Sequence, residues 1–220
     1  ESMDIGSVIN KKLIAASHIY QFLLDADVSN VKCLTFANAD VAELVARPDS
    51  VWVYNSGATN IVSYLIRKKI NNDAEYFALP RRELFNPTGM RSAIFETDAS
   101  GTFAGSSYVY ASIRDYVRFG LLYLNKGNWL GQQILPEGWT DNAIEPANGS
   151  KGQYGSFFWL NLSNDYPDVP KDLYMCRGHD GQYIYIVPSL ELVVARTGFS
   201  KKDDFDFPKF LASIVACIKK

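Results

Sequence analysis

Two short clusters hold the residues best suited to chemistry. One is His179-Asp180-Gly181, preceded by Arg177-Gly178 and followed by the strand-like run Gln182 to Val187. Imidazole is the one ordinary side chain that titrates near neutrality, and the flanking glycines leave room for a substrate to approach the backbone. The N–H of Gln182, just after Gly181, is a candidate donor to a developing oxyanion. The other cluster is Trp52-Val53-Tyr54-Asn55-Ser56-Gly57, a phenol and a hydroxyl two residues apart before a helix. A phenol passes a proton to a leaving group when a nearby cation lowers its pKa. Ser56 is placed to hydrogen-bond a base or the substrate. Taken singly, each signal is weak, because Tyr-x-Ser is common and a lone His-x-Gly is more often a turn than a site.

These residues need elements to hold them. The spacing of Ile61, Val62, Leu65 and Ile66 predicts a helix over 58–70, and a further helical stretch over 73–85 is interrupted by Pro80. Asn86-Pro87-Thr88-Gly89 reads as a turn. The clearest helix runs from Ser112 to Lys126. Ser112 and Asp115 form a variant capping box, and Ile113, Tyr116, Val117, Leu121 and Leu124 are its expected buried stripe, with Gly127 as the stop. A short helix is expected over 136–142. After about residue 152 the period changes to two, predicting strands at 154–160, 173–177, 182–187 and 191–198. An amphipathic helix carrying Phe207, Phe210, Leu211, Ile214, Val215 and Ile218 ends the chain. Helices followed by an antiparallel sheet and a closing helix make an α+β fold, with a mostly helical region over 1–150 and strands plus the last helix over 151–220.

Composition narrows the function classes. A net charge of −2 gives no electrostatic case for nucleic acid or an anionic membrane. No apolar run is long enough to span a bilayer. Cys33, Cys176 and Cys217 are odd in number and widely spaced, fitting neither a disulfide framework nor a metal site, so buried free thiols are expected, with no metal or other cofactor. Asn148-Gly-Ser and Asn161-Leu-Ser match the glycosylation pattern, which is short enough to arise by accident. His18 shares a predicted helix face with Ile14 and Phe22 and reads as a packing or surface residue.

Order and context raise the value of the two clusters. Tyr54-Asn55-Ser56-Gly57 resembles the second motif, and His179-Asp180-Gly181 the third, of the penicillin-recognising serine hydrolases. The branch they resemble most is the class C β-lactamase-like one, with its esterases and nylon-oligomer hydrolases. The segments Leu84 to Met90, Ala111 to Gly120, Asn128 to Trp139 and Tyr154 to Trp159 are similar to that branch too, and together the likeness covers about residues 45–200.

The resemblance implies acyl transfer on a small ester or amide, with Tyr54 relaying a proton to the leaving group and His179 orienting substrate. Ser56, Gly181 and Gln182 would bind it. It also implies a Ser-x-x-Lys nucleophile upstream of the tyrosine. Ser29-Asn30-Val31-Lys32 is the one such match before Tyr54, but it leaves little room for a nucleophile helix and reads as a chance match. Glu1 to Gly6 is faintly similar to a stretch that follows the nucleophile helix. The expectation is therefore a fragment whose Ser-x-x-Lys lies before residue 1 and whose sheet would pair with that missing segment. A non-catalytic binding or sensor relative using the same cleft is the alternative. A histidine in place of the family's lysine in the third motif points away from β-lactams. The resemblance implies a periplasmic or secreted setting, with a cytoplasmic one left open.

Overall fold

The computed structural model describes residues 51–201 and 203–218. The expectations for His18, Ser29, Lys32 and Cys33 fall outside them. The chain divides into two compact units, with the boundary in the sequence between Asp115 and Tyr116.

The described part of the first unit starts with helix α1, Ser56–Ile70. Asn55 is its N-cap: the side-chain oxygen accepts the Ala58 N–H at 2.8 Å, satisfying one of the donors that the first turn leaves unpaired. Asn71 ends it in the left-handed region. Helix α2, Asp73–Pro80, follows with Asn72 as its cap, and a π-helical turn, Arg81–Phe85, continues from Pro80. Strands β1 (Ile94–Phe95) and β2 (Val109–Tyr110) form an antiparallel hairpin within a region expected to be mostly helical. Phe95 stacks on Phe103, and the buried Tyr76 hydroxyl accepts the Phe103 N–H at 2.9 Å. Arg67 ties α1 to this loop by donating to Ser100 O at 2.6 Å.

Helix α3, Ile113–Leu124, crosses the division. Its cap differs from the expected box. Asp115 N–H does donate to Ser112 Oγ, at 3.4 Å. The Asp115 carboxylate instead accepts from Ser92 N–H and Oγ–H, and Ser92 Oγ takes the Ser112 N–H at 2.8 Å. Ser92 thus stands between the two members of the box.

In the second unit, β3 (Asn128–Trp129) and β4 (Gln132–Gln133) form a small hairpin, followed by helix α4, Trp139–Ala143. The main sheet is an antiparallel meander of β5 (Trp159–Leu160), β6 (Tyr174–Arg177), β7 (Tyr183–Val187) and β8 (Leu192–Arg196). Helix α5, Phe207–Ile218, closes the chain. All five residues of β7 are buried because both faces of the sheet are covered. Tyr183, Tyr185 and Val187 point to one face, where Phe207, Leu211 and Val215 of α5 lie at successive turns. Ile184 and Ile186 point to the other, with Phe158, Leu160, Tyr174 and, from α3, Tyr116, Phe119 and Tyr123. Burying each large apolar side chain contributes roughly 1.5–3 kcal/mol. This is the expected α+β plan.

Three sequence expectations need correction. The expected buried stripe of α3 holds in part: Tyr116 and Leu124 pack against the sheet, but Ile113 is exposed, and Phe119, Gly120 and Tyr123 complete that face. Gly120 sets this face, since a Cβ there would stand 2.6 Å from Val193 Cγ1 and 2.9 Å from Ile184 Cγ2. Of the expected strand 154–160, only Trp159–Leu160 joins the sheet. Phe157 adopts φ 70°, which breaks the extended run, and Tyr154 keeps only an isolated bridge to Trp159. Cys217 is exposed, while Cys176 is only partly buried, with its thiol pushed up to about 12 by desolvation.

Candidate active site

The tyrosine cluster lies in the first unit. Val51 to Asn55 form no regular element, and Tyr54 is 53% exposed. The motif's middle residue is spent on structure, because Asn55 caps α1. Tyr54 and Ser56 flank that cap, and Ser56 opens the helix. The sequence placed both hydroxyls at a helix start without indicating which residue would cap it.

The histidine cluster lies in the second unit, in the connection from β6 to β7. His179–Gly181 is a single 3-10 turn. Asp180 (φ 52°) and Gly181 (φ 90°) both occupy the left-handed region. The His179 side chain is 92% exposed, and its Nε2 lies 3.0 Å from Asp180 Oδ2. The carboxylate is much less exposed than the ring, so Asp180 holds one nitrogen of an imidazole that otherwise stands in solvent. Gly178 N–H donates to Gln182 O at 2.7 Å. In an extended strand a residue's N–H and C=O lie on the same side. The Gln182 N–H is therefore directed toward β6 rather than toward β8.

A second layer stands behind this turn. Arg196, at the end of β8, donates from Nη1 to Gly181 O at 2.5 Å and from Nη2 to Ser200 Oγ at 2.7 Å. Its guanidinium lies 4.4 Å from the Phe205 ring centroid and 5.2 Å from that of Phe207. Ser200 N–H reaches Asp180 O at 2.9 Å. The Gln182 side chain donates to Gly198 O and accepts the Gly198 N–H. The segment 196–200 is thus laced to 180–182. Sequence reasoning missed Arg196, Gly198 and Ser200. The one local signal was an arginine closing an otherwise apolar strand.

The Tyr-x-Ser pair and the His-x-Gly turn belong to different units. A cavity of about 290 Å³ in the second unit is lined by Leu124, Ile144, Leu160, Leu162, Leu173 and Tyr174, among others, and none of the motif residues lines it. Several other titratable groups are unsuited to proton transfer near neutrality. Desolvation pushes the phenols of Tyr123 and Tyr166 up to about 12, and that of Tyr174 also well up. Among the described residues no three His, Cys, Asp or Glu side chains gather as metal ligands, and no helix is long and apolar enough to cross a membrane. Asn161 of the Asn-Leu-Ser sequence is fully buried. Its amide donates to the carbonyls of Tyr166, Val169 and Pro170 and accepts the Tyr166 N–H, so it organises the loop before β6 and is closed to glycosylation.

The family model described as beta-lactamase matches residues 35–208. No curated protein is similar enough to the sequence to count as a relative. Among solved structures, a Bacillus anthracis protein assigned as a 6-aminohexanoate-dimer hydrolase superposes with a TM-score of 0.61 at 25% identity, covering 79% of this chain and 44% of its own. A beta-lactamase from Mycobacterium bovis gives a TM-score of 0.63 at 13% identity, with 81% and 68% covered. A beta-lactamase/D-alanine carboxypeptidase from Yersinia pestis gives 0.52 at 15%, with 84% and 62% covered. The last two show likeness of fold alone. The chain spans less than half of the Bacillus anthracis structure it resembles.

Proposed function

The chain belongs to the beta-lactamase family, and from that premise we propose that it is part of a serine hydrolase that cleaves a small ester or amide through an acyl-enzyme. The observation that carries this reading is the turn His179-Asp180-Gly181. An exposed imidazole is held by a carboxylate at 3.0 Å, on a backbone fixed from behind by Arg196. Such an edge suits a group that orients a carbonyl substrate and stabilises charge developing on it.

In this reading Tyr54 relays a proton between the nucleophile and the leaving group, and Ser56 hydrogen-bonds the substrate or the base. Gly181 lets Arg196 and Ser200 pack directly behind the turn, and Gln182 acts through its side chain by holding Gly198 in place. The nucleophile is a serine of a Ser-x-x-Lys pair. None occurs among the described residues, and the pair in this sequence, Ser29 and Lys32, precedes the residues that the family model matches. We place the attacking serine outside this chain, in a segment that would pair with the sheet described above. A 6-aminohexanoate-dimer hydrolase among the structural relatives favours amide or ester substrates over β-lactams.

The test is covalent labelling with a fluorophosphonate and with a fluorescent penicillin. The expected result is no labelling of the 220-residue chain, and labelling of a single upstream serine in a longer form. Adduct formation at Ser29 would overturn the placement of the nucleophile. A longer form that carries Ser-x-x-Lys but neither labels nor hydrolyses p-nitrophenyl butyrate would point instead to a binding or sensor protein using the same cleft.

A further inference from the structure

We propose that Arg196 is the positioning residue of the His179 turn, setting the backbone on which the imidazole stands. The inference rests on the reading of that turn as part of the reactive site.

The turn is an unfavourable piece of backbone. Asp180 and Gly181 are consecutive left-handed residues. The aspartate pays a steric cost there that glycine does not. Such conformations persist where the surroundings over-determine them. Here those surroundings are the side chain of Arg196 and the loop it organises. One guanidinium nitrogen takes the Gly181 carbonyl and the other takes Ser200 Oγ, and Ser200 returns its N–H to the Asp180 carbonyl. Both left-handed carbonyls are therefore bonded to residues 196 and 200.

The shape of the guanidinium matters. A planar fork with several fixed donors serves two acceptors at once, and a flat cation stacks on aromatic faces. Arg196 does both, with the rings of Phe205 and Phe207 against it. Among the described residues no carboxylate pairs with it. Its charge is answered by a carbonyl, a hydroxyl and two rings, so its donors are directed at the turn. Gly181 is fitted to this arrangement, since a Cβ there would stand 2.7 Å from Arg196 Nη1 and 2.9 Å from Ser200 O. Lysine would keep the charge and a single donor nitrogen but lose the fork.

The test uses amide hydrogen exchange on the 220-residue chain and its Arg196→Met, Arg196→Lys and Ser200→Ala variants. Three amides are read: Ser200, which donates to Asp180 O; Gly178, which donates to Gln182 O; and Ile186, fully buried in β7, as the report on global stability. In Arg196→Met, exchange at Ser200 and Gly178 is expected to rise at least about tenfold beyond any change at Ile186, as for loss of a charged hydrogen bond. Arg196→Lys recovers part of that protection. Ser200→Ala removes only the Nη2 partner and gives a smaller rise at Gly178, so it decides the matter should Arg196→Met fail to fold. Equal changes at all three amides would make Arg196 a packing residue and overturn the proposal.

A kinetic readout applies to any form that hydrolyses p-nitrophenyl butyrate. There Arg196→Met lowers kcat about tenfold or more with KM within threefold. The reverse split would also overturn the proposal. If no form hydrolyses esters, the proposed function fails while the exchange experiment still reads the turn.

Discussion

Two glycines in the second unit have nearly the same positive φ and differ in their surroundings, which allows strain and contact to be compared. Gly131, in the β3–β4 turn, has φ 89°, and a Cβ there meets nothing within 4 Å. Gly181 has φ 90°, but its Cβ would face Arg196 Nη1 at 2.7 Å, Ser200 O at 2.9 Å and Phe207 Cζ at 3.0 Å. Gly131→Ala carries only the left-handed penalty, about 1–2 kcal/mol. Alanine also restricts the unfolded chain, which offsets roughly 0.4–1 kcal/mol in both variants and cancels between them. Gly181→Ala adds a clash with a backbone carbonyl and an aromatic ring, for which overpacking costs about 1–3 kcal/mol. It also pushes the guanidinium off a charged hydrogen bond worth roughly 1.5–3 kcal/mol net. Gly181→Ala should therefore be the more destabilising by about 3 kcal/mol, a large share of the roughly 5–15 kcal/mol that holds a typical domain together. Urea denaturation followed by circular dichroism measures this directly. With a slope of about 2–3 kcal/mol/M, the two midpoints should differ by roughly 1 M. Midpoints that coincide would refute the reasoning, because they would mean that nothing rigid stands behind Gly181.

Other perturbations probe separate parts of the molecule. Tyr76→Phe strips the acceptor from the buried Phe103 N–H and should cost about 1–3 kcal/mol in thermal or urea unfolding. Gly120→Val should disturb the α3–β8 contact, through the 2.6 Å approach of a Cβ to Val193, by about 1–3 kcal/mol or more. Brief native-state alkylation with iodoacetamide should modify the exposed Cys217 and spare Cys176, which packs partly buried against the sheet and whose thiol desolvation pushes up to about 12, as peptide mass spectrometry would show. Alkali should unfold the protein cooperatively. Tyr123, Tyr166 and Cys176 keep their protons to about pH 12 when folded, whereas the unfolded chain releases them near 10 for tyrosine and 9 for cysteine. The folded state then binds more protons, so stability is fully present below about pH 9. It falls as pH rises toward 12, by up to about 4 kcal/mol per unit for the three groups. Tyrosinate absorbance rising in step with loss of circular dichroism would confirm this, and full ionisation without unfolding would contradict it.

Much of the plan is legible in local spacing. Helices at 56–70, 113–124 and 207–218 and strands at 174–177, 183–187 and 192–196 follow from apolar periods of 3.6 and 2, since the backbone fixes which residues share a face. The His179 turn is legible as well, because Gly178 and Gly181 interrupt two apolar runs. Other features depend on which elements meet. The buried face of α3 is decided by Gly120 against Val193 and Ile184, residues remote in sequence. The Ser112–Asp115 box is completed by Ser92, which no window around the helix contains. Asn161 stands in a short pattern that arises by accident, and the fold makes it the hub of a buried loop. Most telling is the turn itself. The sequence by itself placed a histidine between glycines at a strand end and, by resemblance, assigned it to a hydrolase family. Only the antiparallel register that sets Tyr183 opposite Arg196 brings a guanidinium behind Gly181. Residue spacing encodes what a segment does alone, while the fixing of a strained turn requires partners that only strand pairing delivers.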